Sequence, residues 1–381
     1  MYACFGMGEA TELPYLCAKP NCMQAESFKA PKTDGVYVGE ATWKAPSNIA
    51  LVKYWGKRDG QIPANPSVSF TLEKCATTTT MGFAKKQGTS DTFSFDFLFE
   101  SRPKDAFRPK IQTFFERILP YCPYIQQHHF TIDSANSFPH SSGIASSASG
   151  MAALALNIMS LEKALIPEIT DDHFYQKASF LARLGSGSAC RSVRGNLVTW
   201  GATAHIGGSS DLFGIPYPFP VHEVFQTYQD TVLLVHKGQK AVSSTVGHGL
   251  MHGHPYAESR FAQAHHNLDA LQSIFASGDL TAFIALVESE ALTLHAMMMA
   301  SSPYFILMQP QTLEIINRIW AFRKETGIPA CFTLDAGANV HLLYPEANRS
   351  SVIQFIQDEL VAYCENGQYI CDNVGNGAQR I

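Results

Sequence analysis

Charge is scarce in this chain: of 381 residues, 28 are Lys or Arg and 33 are Asp or Glu, a formal net charge of −5. No Lys/Arg block occurs, which argues against a general nucleic-acid binder, since that function needs a basic patch to displace counterions. No stretch approaches eighteen uninterrupted apolar residues, so no membrane span is expected. The nine cysteines (Cys4, Cys17, Cys22, Cys75, Cys122, Cys190, Cys331, Cys364 and Cys371) are scattered, odd in number and without a C-x-x-C pair. Reduced cytoplasmic thiols are the simplest reading; neither a disulfide scaffold nor a thiolate metal cluster is expected. Internal repeats and low-complexity tracts are also missing. What remains is an ordinary globular composition, 46% apolar and long enough for two domains.

Residues 1–35 carry three cysteines and no sustained period, and they lack the basic start and apolar core of a secretory signal. They are expected to form a poorly ordered extension, with Met23 as an alternative start. Beyond them, 36–42, 65–72, 77–83, 91–99, 196–200 and 231–236 read as strands, and 330–344 as strand, turn, strand. Helical periodicity marks 109–119, 171–184, 257–276, 279–300 and 309–326. The Gly/Pro-rich stretch 205–220 is the expected boundary between a first domain, 36–215, and a second, 216–381.

The richest stretch is Pro139 to Gly150, a Ser/Gly loop opening into an apolar helix. Unpaired N–H groups at a helix start bind anions, phosphate above all. No Gly-Lys-Ser/Thr closes this loop, so it is not the P-loop, and by itself it also fits a simple helix cap. A second Gly/Ser loop, 185–195, contains Arg191 and Arg194; each guanidinium fork suits a carboxylate or phosphate, or a structural salt bridge. Between residues 44 and 59 lie Asn48, Lys53, Tyr54, Lys57 and Arg58; on a helical turn Lys53 and Lys57 would share a face suited to a polyanion. Asp335 ends an apolar strand beside a glycine, where a carboxylate is costly unless used or paired, though an Asx-turn is the alternative. His248, His252, His254, His265 and His266 suggest a metal, but Gly249, Gly253 and Pro255 interrupt the helix and no ligand motif completes the set. Surface histidines are the expectation there.

Taken in order, Ala45 to Asp59, Phe138 to Ser149, Gly185 to Ser192, Val242 to Thr245 and Leu334 to Asn339 resemble the GHMP kinase superfamily and, within it, the diphosphomevalonate decarboxylase family. The resemblance implies an α+β protein of two domains, ribosomal-S5-like then ferredoxin-like, with the active-site cleft between them. It implies ATP and Mg2+ as cofactors, a homodimer, a cytoplasmic location, and conversion of mevalonate 5-diphosphate to isopentenyl diphosphate. Carried over by position, Ser141, Ser142, Gly143, Ala145, Ser146 and Ser147 would cradle the ATP phosphates, with Ser146 also serving the metal. Tyr54, Lys57, Ser186, Ser188, Ser243 and Ser244 would hold the substrate and its diphosphate, and Arg191, helped by Asn48, its carboxylate. Asp335, with Lys53 nearby, would act on the tertiary hydroxyl. The chain departs from the family pattern at His140, at Gly195-Asn196 and at Ala338, none of them a charged catalytic position. Two alternatives stay open: a decarboxylase acting on phosphomevalonate, and a mevalonate-type kinase that stops after phosphorylation.

Overall fold

The computed structural model describes residues 24–33, 35–88, 93–139, 144, 146–238, 242 and 244–381. The first half of the chain comprises β1 (Gly39–Val52), β2 (Lys57–Arg58), β3 (Ile62–Pro63), β4 (Ser67–Lys85), β5 (Ser94–Phe99), β6 (Arg102–Pro103), α1 (Arg108–Ile118), β7 (His128–Asn136), α2 (Ser146–Leu165), α3 (Asp171–Gly185), β8 (Leu197–Trp200) and β9 (Ile215–Pro216). The second half comprises β10 (Gln229–Leu233), α4 (Ser244–Gly249), α5 (Ala257–Ser277), α6 (Leu280–Met299), α7 (Pro310–Thr326), β11 (Cys331–Leu334), β12 (Val340–Tyr344), α8 (Arg349–Phe355), β13 (Tyr369–Asn373) and β14 (Gln379–Arg380). Together they form the expected α+β fold of two lobes.

The first lobe is a mixed sheet in the order β14-β1-β4-β7-β5-β6, with β8 and β9 continuing from β4; β5 and β7 run parallel. Helices α1, α2 and α3 pack on it through one apolar core. In the second lobe the strands lie in the order β11-β12-β10-β13, all neighbours antiparallel. Counted from β10, that order is 2-3-1-4, the split βαβ arrangement of ferredoxin-like domains. Helix α6 is apolar enough to cross a membrane by length and composition, but 61% of that window is buried inside the protein, against α5, β11 and β1.

Two long strands join the lobes. Sequence reading ends the first strand at Thr42, yet β1 continues to Val52; Pro46 is accommodated because the register with β4 shifts between Pro46 and Asn48. Ala41, Trp43 and Ala45 of β1 serve the first core, whereas Ile49, Leu51 and Val52 lie in a second core shared with Val232 and Leu268. Likewise the two expected strands at 65–72 and 77–83 are one nineteen-residue strand, β4. The carboxylate of Asp372 in β13 accepts the N–H groups of Glu73, Lys74 and Cys75 at 3.1, 2.8 and 2.6 Å, fastening β4 to the second lobe.

Two expectations need correction. Residues 24–33 are not part of a loose extension: Ala25–Phe28 form a 3-10 turn, and Phe28 is fully buried, stacked on Phe180 with centroids 4.6 Å apart. Residues 1–23 and 34 lie outside the described residues. The division at 215/216 also misses β14, which returns to the first sheet and pairs Trp43 with Arg380. A two-residue strand carries too little periodicity to be read from sequence. Replacing Phe28 by Ala should lower unfolding free energy by about 3–5 kcal/mol, measured by chemical denaturation; an unchanged midpoint would remove this segment from the core.

Candidate active site

Lys53 follows directly on the end of β1, where the chain leaves the strand without forming a helix, so Lys53 and Lys57 do not share a helical face. Its side chain is 2% exposed, and Nζ lies 3.3 Å from Oδ1 of Asp335, at the end of β11 in the opposite lobe. Burial pushes the Lys53 ammonium below its ordinary 10.5; Asp335 and then Glu290 act in the opposite direction. The Lys53 backbone is fixed as well. Its N–H donates to Glu290 Oε2 (2.8 Å), and its carbonyl accepts from Arg260 Nη2 (3.1 Å) and Asn65 Nδ2 (2.9 Å). Arg260 and Glu290, from α5 and α6, are themselves a fully buried ion pair with contacts of 2.9 and 2.5 Å. Asp335 is held through its carbonyl, which accepts from His295 Nε2 at 3.1 Å.

Arg191 sits in the 3-10 turn Gly187–Ser192 and is 3% exposed. Its Nη1 donates to Ser67 Oγ (2.6 Å), its Nε donates to Asn48 Oδ1 (3.3 Å), and its guanidinium carbon lies 5.6 Å from the Trp200 ring centroid. Among the described residues Nη2 has no partner, and no carboxylate pairs with this guanidinium. Asn48 spends its amide on the Ser188 carbonyl (3.1 Å) and Ser192 Oγ (2.7 Å), so it acts through Arg191. Arg194 is different: it forms an exposed ion pair with Asp172 at 2.9 Å, outside the site.

Tyr54 packs edge-on to Trp200, centroids 4.7 Å apart, and burial raises its phenol well above the ordinary range. Gly187 permits this contact, since a Cβ there would stand 2.8 Å from the Tyr54 hydroxyl oxygen. Lys57 is half-buried on β2, with Nζ donating to Gln61 Oε1 at 3.0 Å; burial, then Arg117, lowers its pKa. Ser147 and Ser186 bring the two Ser-rich loops together, with hydroxyls 3.2 Å apart. Ser146 opens α2, and its hydroxyl bonds no described residue. Beside it an apolar cleft of about 110 Å³ is lined by Phe97, Phe107, Ile111, Met151 and Leu154, a surface suited to a nucleobase. Ser141, Ser142, Gly143, Ala145 and Ser243 lie outside the described residues, as does the side chain of Ser244.

These groups give a cleft with one carboxylate, one buried ammonium and one guanidinium converging from two lobes. Two family models cover the chain: the diphosphomevalonate decarboxylase-like N-terminal domain matches residues 45–211, and the mevalonate 5-diphosphate decarboxylase C-terminal domain matches residues 231–377. The chain belongs to the diphosphomevalonate decarboxylase family. A diphosphomevalonate decarboxylase of Ganoderma lucidum is 30% identical over 341 residues, 84% of this chain and 82% of the relative. A phosphomevalonate decarboxylase of Haloferax volcanii is 27% identical over 323 residues, 84% of this chain and 92% of the relative. Among solved structures, the mevalonate diphosphate decarboxylase of Staphylococcus aureus superposes with a TM-score of 0.77 at 26% identity, covering 91% of this chain and 98% of the other. A complex described as MDDEF with MVAPP, AMPPCP and magnesium gives 0.76 at 26% identity, covering 91% and 99%.

Sequence reading missed the residues that brace the site of this family member: Arg260, Glu290, Asn65 and Ser67. Glu290 left a signal, as an acid on the apolar face of α6; Asn65 and Ser67 left none. The histidine expectation holds for His252, His265 and His266, which are exposed, and is corrected for His248 and His254, which are 8% and 7% exposed. Among the described residues no group of three His, Cys, Asp or Glu side chains is placed to hold a metal. Replacing Arg260 by Met strands the buried Glu290 carboxylate and should cost about 3–5 kcal/mol; chemical denaturation against wild type measures it, and a loss below about 1 kcal/mol would mean that the clamp is dispensable.

Proposed function

We propose that the protein catalyses ATP-dependent decarboxylation of mevalonate 5-diphosphate to isopentenyl diphosphate through phosphorylation of the tertiary 3-hydroxyl, in the mevalonate pathway. The Lys53–Asp335 contact across the cleft is the observation that carries this reading. A tertiary hydroxyl is a weak nucleophile and a poorer leaving group. Asp335 would take its proton during phosphoryl transfer, with Lys53 keeping the carboxylate aimed and balancing its charge. Arg191 would hold the substrate carboxylate through its unused Nη2 edge, fixing the group that leaves as carbon dioxide when phosphate departs. Tyr54, Lys57, Ser186, Ser188, Ser243 and Ser244 would bind the diphosphate.

The residues present fit both cofactors. The apolar cleft beside Ser146 and Ser147 suits the base of ATP, and the Ser146 hydroxyl is an oxygen donor of the kind Mg2+ takes. ATP supplies the phosphoryl group when bound, and Mg2+ screens its charge. Trp55 and Trp200 are buried beside the cleft, with Tyr54 packed against Trp200, and such rings would keep water from the reacting carbon. A cytoplasmic location is supported by the free, buried thiols of Cys75, Cys122, Cys190, Cys331 and Cys364, and a homodimer by the family resemblance.

The test is an assay of purified protein for ATP consumption together with carbon dioxide release. Mevalonate 5-diphosphate should support both; release from mevalonate 5-phosphate alone would transfer the reading to a phosphomevalonate decarboxylase, the activity named for the Haloferax relative. Phosphate transfer without gas would mean a kinase. Asp335→Asn should lower kcat by about a hundred- to ten-thousand-fold while nucleotide affinity, followed by fluorescence titration, stays within about twofold. If charged Lys53 is required, kcat should fall with rising pH before 10.5, because burial moves its deprotonation down; a plateau extending past that value would exclude the requirement.

A further inference from the structure

Sequence pattern places His248 among surface histidines, yet it is buried at the inter-lobe seam on α4. Its ring lies between two side chains of the motif that carries Lys53: the Tyr54 centroid is 4.3 Å away and the Trp55 centroid 4.6 Å. The preceding residue makes room for this, since a Cβ on Gly247 would stand 2.6 Å from Trp55 Cη2. His248 Nδ1 accepts the Gly56 N–H at 3.0 Å. A nitrogen that accepts this bond carries no proton, so the neutral ring bears its hydrogen on Nε2. Among the described residues Nε2 has no hydrogen-bond partner.

We propose that His248 contacts the phosphate end of the substrate, donating its Nε2–H as an uncharged hydrogen bond beside Tyr54 and Lys57. The inference rests on the activity proposed above and adds a binding residue to it. Burial, then Lys57 and Arg191, pushes the imidazole down to about 3, so the ring stays neutral at physiological pH. The lysine supplies charge to the diphosphate, and the histidine supplies direction. A neutral donor whose acceptor side is already committed cannot rotate to suit another ligand, which makes it a determinant of where the phosphate chain lies.

Two variants separate this role from a purely structural one. His248→Asn keeps a short acceptor for Gly56 but loses the distal donor; His248→Gln keeps a donor near the Nε2 position. H248N should raise KM for mevalonate 5-diphosphate by about 10- to 100-fold, the loss of one hydrogen bond to a charged group. Its kcat and its KM for ATP should stay close to wild type; its thermal midpoint should fall as the ring contacts with Tyr54 and Trp55 are lost, and H248Q, which loses them too, should nonetheless recover most of the lost affinity. An H248N enzyme with unchanged substrate KM overturns the inference, as does an H248Q enzyme no better than H248N. In [15N]histidine-labelled wild type, which needs no variant to fold, the His248 Nε2 resonance should move on adding mevalonate 5-diphosphate and not on adding AMPPCP; a resonance unmoved by the substrate overturns the inference equally. Wild-type turnover measured in the same series separates the failures: its absence overturns the proposed activity and the inference with it, whereas an active wild type with an unaltered H248N overturns the inference alone.

Discussion

A positive charge withdrawn from water has to be surrounded by groups that replace its hydration, and Lys53 sets that requirement for the whole molecule. Among the described residues, the lobe that carries the lysine contributes Asn65, which bonds its carbonyl. Asp335, Glu290 and Arg260 all come from the other lobe. Neither half therefore holds a complete site, and the packing that joins them is also what assembles the chemistry. Arg260 and Glu290 bond the lysine's backbone, leaving Nζ for Asp335; the restraint is applied where it does not compete with the contact across the cleft.

The aromatic wall follows from the same demand. Trp200, Tyr54, His248 and Trp55 run as successive ring contacts of 4.7, 4.3 and 4.6 Å between Arg191 and the seam. Large rings exclude water over a wide area with few degrees of freedom, and a drier cleft strengthens each charge within it. Two cations, Lys53 and Arg191, lie beside this wall; of the described carboxylates near them Glu290 is committed to Arg260 and to the Lys53 backbone, which leaves Asp335 facing the cleft. That imbalance suits a substrate bringing several negative charges of its own.

Sequence alone conveyed the ionisable groups well, because each stood out against a chain poor in charge: Asp335 after an apolar strand, Arg191 in a Gly/Ser loop, Lys53 within an apolar run. Helices were legible for the same reason that they pack, the apolar stripe of α1, α3, α5 and α7. Strand continuity was not. Pro46 and the polar pair Ser47–Asn48 imitate a break, and only the register shift against β4 lets one strand run through them. Partnerships across the chain were invisible too: nothing local in Glu290 indicates that it bonds Lys53, 237 residues away. His248 misled in the opposite direction, since glycines on both sides imitate an exposed turn, while Gly247 is there to admit Trp55.

The anchoring of β4 by Asp372 also bears on how the protein is made. Cys75 and Asp372 are 297 positions apart, and the bond between them closes more than three-quarters of the 381-residue chain into a loop. Contacts of that reach are slow to find, because chain entropy must be surrendered before any are gained. Without Asp372 the three amides of β4 can bond only water. The distant aspartate replaces that water when the second lobe closes on β4, so the last bonds of this strand wait for nearly the last strand of the chain.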